Sequence, residues 1–344
     1  MPDQSATTVL VVDDDPVFLQ LLSRSVGAAG YEVEKARNGE EAWQRLQKGD
    51  IKLVVTDWEM PAMTGIELCR QIRSAGLPGY VYVVLVTSHD SIDDIVAGLD
   101  AGADDFISKP FNVAELQVRL RSGMRVLALE TRDLAIFAMA KLAESRDPDT
   151  GAHLERICAY CQIVTAHLLK DAQCGFDIRP SFVQTIVQTS PLHDIGKVGI
   201  PDSVLRKPGR LNKEEFAVLQ QHTVIGAQTL KAALDQYPNA EFLSMAYDIA
   251  LCHHERYDGS GYPNGLKGDK IPLAARIVAL ADVYDALTSK RCYKEAFSHM
   301  VTRDIIIDSA GTHFDPRLIM AFEACEDQMI ETKNRINASE LSQS

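Results

Sequence analysis

The chain has 344 residues, 46% of them hydrophobic, and its 48 Asp and Glu outnumber 35 Lys and Arg for a formal net charge of −13. That length is natural for two domains, and so acidic a balance argues against a nucleic-acid binder, whose affinity rests on a broad basic surface. No apolar run approaches the ~20 residues of a spanning helix, no signal-peptide pattern is present, and seven scattered cysteines suggest no disulfide framework, so a cytoplasmic protein without membrane contact is expected.

From Thr8 the chain alternates short apolar runs with helical stretches, the pattern of a doubly wound α/β domain. VLVV (Val9 to Val12) ends in Asp13-Asp14-Asp15, LVVTD (Leu53 to Asp57) ends in Asp57, VYVVLVTS closes on Thr87 and Ser88, and DFISKPF supplies Lys109. Each run carries its polar residues at the carboxyl end, where ligands bind in such sheets, so acids, a hydroxyl and a lysine converge on one edge. A carboxylate nucleophile needs a cation and a lysine to neutralise an arriving phosphoryl group. Helix capping explains any one of these residues but not five at these places.

This constellation resembles the receiver domain of two-component response regulators, over residues 1–125. The resemblance implies a flavodoxin-like fold with Asp57 as phosphoacceptor, and a magnesium ion held by Asp13, Asp14 and Asp57. It also implies that Thr87 and Lys109 contact the phosphoryl group and that a cognate histidine kinase is the phosphodonor. Phe106 stands where the family often has an aromatic residue that changes rotamer with the threonine; a buried structural Phe is equally compatible. His89 lies in the loop after a strand and is assigned no function.

Asn112 can cap a helix, with Glu115 at the capping-box position, and the sequence stays helix-friendly to about Arg146, giving a connecting helix over 112–146 that overlaps both domains. Such a helix would carry a twist or shift, which a Gly/Ser linker would not. Leu120, Met124, Leu127, Leu134 and Ala138 fall near a 3–4 spacing, a short seam through which a homodimer is expected; the alternative is a helix packed on its own domain.

Over residues 135–330, His and Asp recur within apolar helical runs: His193-Asp194 in SPLHDIGKVGIPD, His222 in QQHTVIG, His253-His254 in LCHHERYDGSGYP, and Asp282 in IVALADVYDAL. Four imidazoles and two carboxylates with no thiolate suit borderline divalent cations and are enough for two of them. A lone His on an apolar face is more often a hydrogen-bonded core residue. The joint pattern differs, because buried imidazoles and carboxylates are costly unless a shared cation compensates them. Upstream, Asp149 and His153 in RDPDTGAH are spaced i, i+4 and share a face if the helix starts early enough. Cys158 and Cys161 form a CxxC with no second pair nearby and read as packing, and residues 331–344 read as a polar C-terminal tail.

HDIGKVGIPD, HHERYDGSGYP, ARIVALADVYDALTS and GTHFDP, in this order, resemble the HD-GYP family of cyclic-di-GMP phosphodiesterases, a subgroup of the HD metal-dependent phosphohydrolases; the GYP is Gly261-Tyr262-Pro263. The resemblance implies an all-α HD fold in which His193, Asp194, His222, His253, His254 and Asp282 hold two transition metals, with Asp194 bridging. Iron or manganese is favoured, with nickel or zinc as alternatives. The metal pair would turn a water against a phosphodiester, with Lys197 contacting the phosphate or assisting the leaving oxygen. Some members carry a glutamate and a histidine upstream that support a third metal. Here Asp149 is shorter than that glutamate, so the expectation is two metals with His153 joining.

Gly261, Tyr262, Arg291 and Lys294 are the implied substrate contacts, with Cys292 where a proline is common. The implied activity is phosphorylation-regulated hydrolysis of cyclic-di-GMP to pGpG and on to GMP. Alternatives are a phosphohydrolase for another guanine cyclic dinucleotide, or a non-catalytic cyclic-di-GMP sensor or scaffold acting through protein contacts, diguanylate cyclases among them. Asp315 reads as a helix cap before Pro316 and His313 as structural.

Overall fold

The computed structural model describes residues 7–77, 79–88, 91–146, 152–171, 174–289 and 296–341. The chain divides into two compact units, Met1–Leu134 and Ala135–Ser344. The first alternates β1 (Thr8–Val12), α1 (Pro16–Ala28), β2 (Glu32–Ala36), α2 (Gly39–Leu46), β3 (Leu53–Asp57), α3 (Gly65–Ser74), β4 (Tyr82–Thr87), α4 (Ile92–Asp100) and β5 (Asp105–Ser108), then enters α5 (Val113–Glu144). All strand pairs are parallel, in the order β2-β1-β3-β4-β5. Helices cover both faces of such a sheet, which is why β3 and β4 are near-continuous apolar runs and entirely buried. β2, EVEKA, lies at an edge and keeps its charges.

Local chemistry sets the helix starts. Asp15 caps α1 by accepting from the Val17 amide at 2.7 Å, with Pro16 in the first helical position. Thr64 and Glu67 close a capping box on α3. Asn112 accepts from the Ala114 amide at 2.8 Å as expected, whereas Glu115 pairs with Arg119 at 3.5 Å along the helix.

The seam read along α5 is largely taken up within the first unit. Leu116 and Leu120 are fully buried against Val9, Val11 and Ile107, and Met124 and Leu127 pack on the same cluster, while Leu134 is 63% exposed. The spacing that resembled a coiled coil is in this stretch the buried face of a helix lying on its own sheet, so it is not a free dimerisation stripe.

The second unit is helical: α6 (His153–Lys170), α7 (Pro180–Thr189), α8 (Asp202–Leu205), α9 (Lys213–Gln236), α10 (Glu241–Cys252), α11 (Leu273–Thr288), α12 (His299–Asp308) and α13 (Pro316–Leu341). α11 is buried nearly all round, from Ala274 to Thr288, and forms the axis of a core with α6, α7, α10 and α13. His193 and Asp194 sit between two 3-10 turns, Ser190–Leu192 and Ile195–Gly199, rather than on an α-helix. A Cβ on Gly196 would stand 1.9 Å from the His222 carbonyl oxygen, so glycine is what lets the turn after Asp194 lie against α9.

Residues 331–341, read as a polar tail, continue α13. Lys333 donates to the Thr288 carbonyl at 2.6 Å and Asn337 accepts from Arg156 at 3.2 Å. Polar contacts hold this end, which is why hydropathy did not mark it as part of the fold. Among the described residues, no helix is long and apolar enough to cross a membrane.

Candidate functional site

The first unit brings its strand-end acids together. Asp13 follows β1 and is fully buried, Asp57 ends β3, and Asp14 beside them is exposed; a carboxylate oxygen from each lies within 4.8 Å of the others. Lys109, just past β5, places its ammonium 2.9 Å from Asp57 Oδ1 and 3.2 Å from Asp13 Oδ2. Burial pushes the Asp13 and Asp57 carboxyls up, against the pull of Lys109. Asp14, Asp57 and Lys109 line a cleft of about 510 Å³ with Trp58, Met60 and Ser88. Three oxygen donors beside a lysine suit a hard cation such as magnesium. Thr87 ends β4 and is buried, whereas Phe106 is half-buried and packs on the same core face as Trp58. His89 lies outside the described residues.

In the second unit, four separate segments deliver the imidazoles. His193 follows the first 3-10 turn, His222 lies on the buried face of α9, His253 and His254 follow α10, and His153 opens α6. Two donor sets result. Asp194, His222, His253 and His254 form one, and His153, His193 and Asp282 the other, each with donor atoms within 4.8 Å of one another. Asp194 stands between them: Oδ2 is 3.4 Å from His193 Nε2, and Oδ1 is 3.2 Å from His222 Nε2 and 3.8 Å from His253 Nε2.

The other ring nitrogens show what these imidazoles are arranged to do. Nδ1 of His193 lies 2.8 Å from the Ser190 carbonyl, that of His222 2.7 Å from Leu219, and that of His253 2.9 Å from Ile249. A carbonyl only accepts, so each Nδ1 carries its proton and, in the neutral imidazole that a cation would select, each Nε2 turns a lone pair inward, the arrangement of a metal-ligating histidine. His222 Nε2 and His253 Nε2 face each other at 3.4 Å. His193 Nε2 and Asp194 Oδ1 are buried without a hydrogen-bond partner among the described residues. Acceptors facing acceptors in a buried space fit a divalent cation shared among them.

Electrostatics follow the same geometry. Burial opposes charge on His193, but the Asp194 carboxylate beside it lifts the imidazole to about 9. Burial and the neighbouring imidazoles push His253 down to about 3 and hold His254 well below its ordinary value. Burial alone would raise Asp194, yet Lys197, 2.9 Å from Oδ2, and His193 hold it far below the usual carboxylate range. Lys197 therefore reaches the central carboxylate of the site.

Three further residues escaped the sequence reading. Asp285, one turn beyond Asp282, meets His153 Nδ1 at 2.8 Å through Oδ2 and is clamped by Arg156 at 2.5 and 3.0 Å. The i, i+3 spacing in ADVYDAL was a usable signal for it. Glu255, buried directly after the double histidine, accepts from the Asn264 and Leu266 amides at 2.8 and 3.0 Å and so ties down the GYP loop. Glu144, at the end of α5, is buried beside His153.

Tyr262 stacks on His254 with ring centroids 4.8 Å apart. Gly261 is required where it stands, since a Cβ there would meet the Arg256 amide nitrogen at 2.3 Å. Asp149, Arg291 and Lys294 lie outside the described residues, and α6 begins only at His153. His313 stacks on Phe314, and Asp315 accepts from the Arg317 amide at 3.0 Å as a cap.

Residues 9–121 match the response regulator receiver domain family, and residues 138–318 match the HD domain family. A probable cyclic di-GMP phosphodiesterase of Vibrio cholerae is 38% identical over 96% of this chain and 80% of its own length. The cyclic di-GMP phosphodiesterase response regulator RpfG of Xanthomonas campestris is 34% identical over 91% of this chain and 86% of its own. A 3'3'-cGAMP-specific phosphodiesterase of Vibrio cholerae is 41% identical over 55% of this chain and 34% of its own. With a parallel five-stranded receiver and a helical unit built around clustered histidines, the chain belongs to the HD-GYP family of cyclic di-GMP phosphodiesterases, in the response-regulator arrangement of a receiver followed by an HD domain.

Proposed function

We propose that this protein hydrolyses cyclic-di-GMP to pGpG, and pGpG on to GMP, at a two-metal centre under control of phosphorylation at Asp57. The observation that carries the reading is the donor set: inward-facing Nε2 atoms, each fixed by its own Nδ1 contact, gathered around Asp194. Iron or manganese is the proposed pair, and nickel or zinc is compatible with the same nitrogen and oxygen donors. Bound there, the two cations would supply Lewis acidity to a water and to the phosphodiester.

The chain's own residues do the rest. Asp194 spans both donor sets, and Lys197 fixes its carboxylate while standing within reach of a substrate phosphate. Tyr262 presents a ring beside His254 for a guanine to pack on, and Glu255 keeps the loop carrying it in place. Arg291 and Lys294 are proposed as further contacts to the substrate phosphate and guanine, for which a planar guanidinium fork is suited.

In the receiver, Asp57 is the acceptor for a phosphoryl group from a cognate histidine kinase. Lys109 neutralises the incoming oxygens, a role that Asp13 and Asp14 share by holding magnesium.

Metal-loaded protein incubated with cyclic-di-GMP is expected to yield linear product. The double variant His193→Ala, Asp194→Ala is expected to yield none, and unchanged turnover in it would sink the assignment. The likeness of the helical half to a 3'3'-cGAMP-specific enzyme favours a second reading, a different guanine cyclic dinucleotide as preferred substrate. Comparing kcat/KM for the two dinucleotides decides between them.

A further inference from the structure

One buried carboxylate beside the metal centre has no role in the reading above. Glu144, the last residue of α5, is 8% exposed, and no hydrogen bond to its side chain is found among the described residues. Its Oε1 lies 3.8 Å from His153 Nε2. A carboxylate at this depth is costly unless a cation compensates it.

The geometry identifies where that cation sits. Asp285 Oδ2, held by Arg156, lies 2.8 Å from His153 Nδ1 and can only accept, so Nδ1 carries the proton and the neutral imidazole presents a lone pair at Nε2. Toward that lone pair point Glu144 Oε1 and Asp282 Oδ1, each at 3.8 Å. Two carboxylate oxygens thus face His153 Nε2, and His193 completes a donor set with His153 and Asp282, beside which the Glu144 carboxylate stands. Donors 3.8 Å apart can each lie ~2.1 Å from a single first-row ion.

We propose that Glu144 is a ligand of the cation held by His153, His193 and Asp282, so that the connecting helix contributes a carboxylate to the metal centre. The inference rests on the metal-centre reading given under Proposed function. The competing arrangement is a proton on His153 Nε2, which would make Glu144 an ion-pair partner and nothing more.

The test uses the full-length protein, stripped with a chelator and titrated with Mn(II), with free Mn(II) followed by electron paramagnetic resonance. Wild type is compared with Glu144→Gln, Glu144→Asp, His193→Ala and the control Glu155→Gln, whose carboxylate pairs with Lys141 away from the cluster. Thermal unfolding of each metal-free form is recorded in parallel.

With excess Mg(II) keeping the receiver acids filled, wild type and Glu155→Gln are expected to take up two equivalents. Glu144→Gln is expected to keep one site and bind the second at least about tenfold more weakly, the lower bound for losing a supporting group. Glu144→Asp, which draws the carboxylate back by one methylene, should fall between them and carries the test if the glutamine variant does not fold.

Full-strength uptake of both equivalents by folded Glu144→Gln overturns the proposal and leaves the ion pair, whose loss would then register only in the unfolding temperature. Two different outcomes would instead remove the metal-centre reading, and the proposal with it: fewer than two equivalents in wild type, or undiminished uptake by His193→Ala.

Discussion

Two cation-suited clusters in this chain are built by different means. In the receiver, Asp13, Asp57 and Lys109 come from the ends of β1, β3 and β5 of one sheet, and Asp57 lines an open cleft with the exposed Asp14. In the helical unit, donors arrive from α6, the 3-10 segment, α9, the end of α10 and α11, and His193, His222 and His253 are buried. The receiver acids are compensated by one lysine that touches two of them. Four of the five histidines are instead pinned through Nδ1, by a backbone carbonyl at His193, His222 and His253 and by a carboxylate at His153. An acceptor that must be loaded and unloaded needs solvent access, whereas a resident metal pair needs donors whose orientation and tautomer are fixed beforehand. The difference is therefore one of preorganisation, and it can be tested by loosening each cluster in turn.

The largest effect short of removing ligands is expected from Asp285→Asn. It keeps the shape but lets the amide donate toward His153, undoing the tautomer that turns Nε2 inward. Affinity for metal should fall by roughly 10–100-fold while the fold is retained, as metal titration with circular dichroism would show. An unaltered affinity would mean that the Nδ1 contacts are incidental, and the contrast between the clusters would collapse.

A smaller effect is expected at Glu255→Ala, which removes the acceptor of two loop amides and frees the segment carrying Tyr262. KM for cyclic-di-GMP should rise roughly tenfold, in keeping with the loss of one charge-assisted tie, with kcat and metal content little changed. A drop in kcat alone would place Glu255 in the chemistry rather than in substrate positioning.

The mildest change in basal turnover is expected from Asp57→Asn, which removes the phosphoacceptor. Turnover measured with and without acetyl phosphate should become identical, at the level of the unphosphorylated wild type. If wild-type turnover already ignores acetyl phosphate, the control reading fails and the receiver cleft serves another purpose.

The sequence by itself was enough to place strand-end acids on one edge of a parallel sheet, because strand polarity and the alternation of strands with helices leave few arrangements. It also identified the histidines and aspartates of the helical half, since polar ligands inside apolar runs stand out from their surroundings. Tertiary structure alone decided how they partition: Asp194 between two donor sets, His153 with Asp282, and α5 ending at the cluster with Glu144. It alone also put Leu120 and Met124 into the receiver core rather than a dimer seam, and secured the end of α13 with Lys333 and Asn337. Periodicity records which face of a helix is apolar but not what covers it. The chemical type of a side chain likewise leaves open which distant segment folds back to meet it, because that is settled by packing between helices far apart in the chain.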